Sequence, residues 1–209
     1  MSELNVVCAS FDGASNMSGR HAGVQALLRR HSPNLVFVHC RSHLLQLALV
    51  KSAGNIVEVK RVLNLVNKLY TMFSQSPKKL AVLTASQLAI DGMAHKLVQP
   101  GETRWLSYDG SVGVVCRHYA AICTSLEAIY SDAADMACDA SGMLIEFRKS
   151  STIYLLCLLH TILQPLARLS KALQSTDSNI SSSMTLVKAT IEGIRNYNYD
   201  QLETEFSGM

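Results

Sequence analysis

The stretch VVCASFDGASNMSGR, residues 6–20, decides how the chain is read, because an apolar run ends in a lone acid and then in small polar residues. Residues 4–11 (LNVVCASF) and 34–40 (NLVFVHC) are rich in Val, Leu and Phe without polar alternation, which predicts strands buried on both faces of a sheet. Between them, residues 15–31 bring Met17, Val24, Leu27 and Leu28 near one helix face and leave Arg20, Arg29 and Arg30 to solvent. The order strand, helix, strand predicts a right-handed crossover and parallel strands.

Downstream the pattern is helical. Residues 41–54 (RSHLLQLALVKSAG) predict a helix capped by Ser42 and stopped at Gly54. In residues 55–76, Ile56, Val59, Leu63, Val66, Tyr70 and Phe73 fall at spacings of three and four, a seam on one helix face. Ser76 and Pro77 end that helix and start the next. Residues 91–104 are a Gly/Pro loop, 107–130 a long helix, 131–142 a break, and 143–175 a helix kinked at Pro165. A polar linker at 175–183 leads to a last helix at 184–207, carrying Leu186, Ile191 and Ile194. A lone parallel pair leaves both outer edges without partners, so further strands are expected upstream, outside this chain.

The 209 residues are 48% hydrophobic, enough for a core in one large or two small domains. Charged residues are 17% and the net charge is +3, so any nucleic-acid role rests on local placement of Arg and Lys. The six cysteines are widely spread behind an N-terminus with no long apolar run, which reads as reduced intracellular thiols. The apolar residues 153–169 are interrupted by His160, Gln164 and Pro165, so they read as a buried helix and no membrane is expected as a partner.

Three constellations carry chemistry. Asp12 follows a strand directly, and the carboxyl end of a strand in an open α/β sheet is where ligands and metals collect; equally, Asp12 and Gly13 form an ordinary turn. In HCRSH, residues 39–43, Cys40 and His43 approach the same side of the sheet, but a structural zinc site needs four ligands and no second pair is suitably spaced. A buried thiol and a hydrogen-bonded His are the plain alternative. In TRWLS, residues 103–107, the single Trp105 beside Arg104 reads as a packing anchor or, on an exposed loop, as a base-stacking side chain with Arg104 on a phosphate.

In succession, FDGASNMSG, VHCRSHLLQLAL and ETRWLS resemble the hAT superfamily of cut-and-paste DNA transposases, and within it the domesticated, zinc-finger-associated proteins derived from transposable elements. The resemblance covers residues 4–110, and the remainder only by its helical type. It implies a fold between α/β and mostly α: a partial ribonuclease H-like core of two parallel strands with helices at 1–54, a helical connection and loop at 55–104, and a helical insertion domain at 105–209. Asp12 matches the second of three metal-binding acids that hold Mg2+, where two ions would serve an in-line displacement at a DNA phosphate. Cys40 and His43 match the Cys-x-x-His motif beside that active site, while Arg104 and Trp105 match the motif whose Trp stacks on a flipped base.

The first acid of the set belongs upstream of this chain, and the third has no recognisable context at Glu192, Glu203 or Glu205. The zinc-finger module and dimerisation region have no counterpart either. The expectation is therefore a fragment, catalytically inactive alone, from a nuclear DNA-binding protein. The alternative is a protein interaction scaffold or homo-oligomer, with the seam from Ile56 to Phe73 binding a partner helix.

Overall fold

The computed structural model describes residues 6–101, 105–132, 137–175, 179–198, 200 and 202, and it is mostly helical with one two-stranded sheet among those residues. Strands β1 (Cys8–Phe11) and β2 (Val36–His39) are parallel, pairing Cys8 with Val36 and Phe11 with His39. The crossover contains α1 (Ser15–Ser18) and α2 (Val24–His31).

Burial of both strand faces is not found. Ala9 is the buried strand residue, whereas Val36 and Val38 are 56% and 39% exposed. Among the described residues the two strands pack chiefly on each other, with no layer of helices over β2. Their Val and Phe content therefore expresses strand preference and cross-strand pairing, as between the stacked rings of Phe11 and Phe37, 6.3 Å apart.

Helix α3 (Arg41–Ala53) starts directly from the end of β2, with Cys40 in the capping position, and ends at Gly54 as its sequence predicts. Ser42 lies inside the helix instead of capping it. Its hydroxyl is 2.6 Å from Ser170 Oγ and accepts a hydrogen bond from Gln174 Nε2 at 2.9 Å. The serine is thus spent on a tertiary tie.

Then follow α4 (Val57–Ser74), α5 (Pro77–Asp91), a 3-10 turn (Trp105–Ser107), α6 (Tyr108–Arg117), α7 (Tyr119–Ser131), α8 (Ala137–Phe147), α9 (Ser150–Leu173) and α10 (Ile180–Arg195). Ser76 Oγ accepts the Lys79 amide and Pro77 occupies the first turn of α5, which closes on Gly92 with a left-handed φ of 73°. Four positions of the α4 seam are core, Val59, Leu63, Val66 and Phe73, buried together with Val62, Leu65 and Leu69, whereas Ile56 is 45% exposed and Tyr70 half-buried. One cluster joins these buried residues to Val112, Ile122, Leu126, Phe147, Leu156 and Leu163, and Leu83 belongs to it too, so α4 and α5 share a core with the helices after them. A partner helix has no access to those four buried positions.

Three boundaries differ from expectation. The long helix at 107–130 breaks at His118 into α6 and α7, because that buried residue is held by side chains from elsewhere. The stretch 143–175 holds the end of α8 and all of α9, and α9 passes through Pro165 as one helix. The polar linker is shorter than predicted, since Asn179 starts α10 through a reciprocal pair of bonds with Ser182, and α10 ends at Arg195. Glu203 and Glu205 lie outside the described residues.

Helix α9 is long and apolar enough to cross a membrane by length and composition. Here it is the spine on which α3, α4, α6, α8 and α10 pack, burying Leu156, Cys157, Leu159 and Leu163.

Candidate functional site

Both strands end at one cleft of about 690 Å³, lined by Asp12, Cys40, Ser42, His43 and Gln46, by Leu106 and Ser107 of the 3-10 turn, and by Ser170 and Gln174 of α9. Its geometry follows from the local chain. The Cys40 amide donates to the Phe11 carbonyl at 2.8 Å, which brings the residue after β1 beside the residue after β2. Because α3 begins at Arg41, Cys40 and His43 sit three apart at its amino end and share a face. Asp12, Cys40 and His43, far apart in sequence, thereby line the same space.

Asp12 is exposed, and its Oδ1 accepts the Ala14 amide at 3.2 Å, the turn that its short side chain favours. The turn and the cleft position coexist, because a carboxylate has lone pairs on two oxygens. Arg104 lies outside the described residues. The backbone of Trp105 opens the 3-10 turn, and its side chain is likewise outside the description. The turn closes because Ser107 Oγ accepts the Gly101 amide at 2.8 Å, and its Leu106 amide donates to Gln46 Oε1 at 3.2 Å.

Gln46 was not singled out by the sequence. Its oxygen is fixed by Leu106, while its Nε2 is buried with no partner, a donor whose satisfaction is worth about 1–3 kcal/mol. No sequence pattern marks a helical glutamine for such a position.

The residues present do not fit a pair of Mg2+ ions. Asp12 is the one carboxylate among the described residues that line the cleft, and no three His, Cys, Asp or Glu side chains among the described residues are placed to hold a metal ion together. Mg2+ prefers six oxygen ligands, and a two-ion centre needs several carboxylates to offset its charge. The same set falls short of a four-ligand zinc site.

A second polar cluster lies apart from the cleft. His118, 1% exposed, has Nδ1 2.5 Å from Asp91 Oδ2 and Nε2 2.9 Å from His95 Nδ1. Gln87 holds His95 in place, donating to its carbonyl and accepting its amide. The arrangement satisfies a buried imidazole at the α6–α7 break, and its role is structural. No local pattern announces it, since its members come from α5, the following loop and the junction of two later helices.

No family model matches the chain, and no solved structure matches it.

Proposed function

We propose that the chain is part of a hAT-type, transposase-derived nuclear protein, with residues 1–54 corresponding to part of a ribonuclease H-like core, and that it acts by binding DNA. The observation that supports this reading is the convergence of Asp12, Cys40 and His43 on one cleft at the carboxyl ends of two adjacent parallel strands. The turn that follows the Arg104–Trp105 motif forms another wall of that cleft.

In this role Arg104 neutralises a phosphate, Trp105 stacks on an unpaired base, and His43 at the cleft donates a hydrogen bond to the nucleic acid. Mg2+ belongs to the chemistry of the family it resembles. With one carboxylate in the cleft among the described residues, strand cleavage is not assigned to this chain, and the proposed activity is binding alone. A scaffold role would have to use a surface other than the four core positions of the α4 seam, Val59, Leu63, Val66 and Phe73.

The test is fluorescence anisotropy with nicked and hairpin DNA duplexes across a salt series. Phosphate contacts release counterions, so affinity is expected to fall steeply between about 50 and 200 mM salt. Trp105→Ala is expected to cost about 1–3 kcal/mol of binding, the range for one stacked base. Binding that ignores salt, or a Trp105→Ala variant with unchanged affinity for both DNAs, would remove the reading.

A further inference from the structure

We infer that the trough between α3 and α10 is a docking groove for an acidic amphipathic helix of another protein. Helices α3 and α10 both pack on α9 and make at most marginal contact with each other. That leaves a trough of about 530 Å³, floored by Leu166 and Leu169 and walled by Leu44 on one side and Met184 and Ile191 on the other. Leu44, Met184 and Ile191 are 49%, 55% and 44% exposed.

Single exposed apolar side chains need no explanation, but a continuous concave set of them marks a binding surface. Met184 and Ile191 are seven residues apart, so they sit on one face of α10, two turns from each other. That face, which a helix ordinarily buries against a neighbour, here borders an open trough. Two helical walls on a helical floor accept a fourth helix by ridges-into-grooves packing, with anchors at i, i+3 or i+4, and i+7.

Charge selects the occupant. The charged residues bordering the trough are Arg41 and Lys188, both cationic, and neither forms an ion pair among the described residues. A second copy docking by the same face would bring identical cations toward each other, since a two-fold interface repeats the same patch on both sides. An apolar trough offers little to a phosphate backbone. A lipid surface is met by a convex or flat apolar face lying in the interface, whereas this one is concave. A helix with apolar anchors flanked by Glu or Asp meets both the apolar floor and the two cations.

The probe is a fluorescein-labelled peptide of about 18 residues, ~27 Å as a helix, with Leu at i, i+3 and i+7 and Glu beside them, read by anisotropy against the whole chain. Micromolar binding is expected, weakened at least about tenfold when Lys replaces Glu in the peptide. In the chain, Ile191→Glu and, separately, Met184→Glu should each weaken binding about tenfold with the circular dichroism spectrum unchanged. Arg41→Glu combined with Lys188→Glu should reverse the peptide preference. Equal affinity for the Glu and Lys peptides, or no binding, overturns the proposal. So does Ile191-dependent self-association in sedimentation that excludes the peptide, or binding only to phosphatidylserine vesicles. DNA affinity of the same variants is a separate readout, so this proposal and the cleft reading fail independently.

Discussion

Asp109 shows how a single half-buried charge sets a pH dependence. It sits in the first turn of α6, where burial holds its carboxyl above the usual carboxylate range against the opposing pull of His160 and Arg168. A raised folded value means that the folded chain binds this proton more tightly than the unfolded chain does. The associated stability is therefore present in acid and is lost as pH rises through the folded value. Asp109→Asn keeps the shape and stays neutral, so it is expected to raise the melting temperature slightly at pH 7, a gain kept small because solvent screens this half-exposed group. The gain should vanish toward pH values well below the carboxylate range. Thermal unfolding at several pH values measures this, and a lower melting temperature at pH 7 would mean that the attraction of His160, Arg168 and the α6 amino end outweighs desolvation. At this same scale, the placement of Asp12 and Cys40 was legible because each directly follows a strand that the sequence marks, with His43 one helical turn beyond Cys40. Gln46 and His95 were not, because their importance arises from partners 60 and 23 residues away.

Among elements, the caps divide into those written locally and those made by the fold. Ser76 before Pro77 is local, and α5 starts where that pair places it. Ser42 looks like a cap, yet the extended end of β2 lets Cys40 take that position, so the serine bonds to α9 instead. The His118 break has no local signal, because it depends on Asp91 and His95 reaching it from another part of the chain. Asn179 is the opposite case: its serine-rich context reads as linker, but its side chain accepts the Ser182 amide at 2.8 Å while Ser182 Oγ accepts the Asn179 amide at 3.3 Å. Since α10 packs chiefly on α9, it has little tertiary support to replace this cap. Asn179→Ala is expected to cost about 0.5–2 kcal/mol and to lower helical ellipticity before the main transition in thermal denaturation. A variant that melts like the parent, with no early loss of ellipticity, would show that packing on α9 alone fixes the helix start.

At the scale of the molecule, the strand–helix–strand order and its parallel pairing were readable from apolar runs and turn residues, whereas the division of burial between sheet and helices was not. Burial depends on which layers cover a strand, and composition does not encode that. The consequence is an uneven stability. Helix α4 has Val62, Leu69 and Phe73 completely buried in the common core, while the strands contribute Ala9, with Leu35 just before β2. The sheet is held to the helical body mainly through α3, by the Ser42–Ser170–Gln174 bonds and the Gln46 bond to the Leu106 amide. Regions with few buried apolar contacts open locally without global unfolding. Native-state hydrogen exchange should therefore find the ladder amides of β1 and β2 exchanging through openings several kcal/mol below those of mid-α4. Ser42→Ala removes one link between the two parts and leaves the core untouched, so it should speed exchange in β1, β2 and α3 while α4 keeps its protection. Equal protection in sheet and α4, or a Ser42→Ala effect spread evenly over both, would mean that the two parts unfold as a single cooperative unit despite the thin burial of the strands.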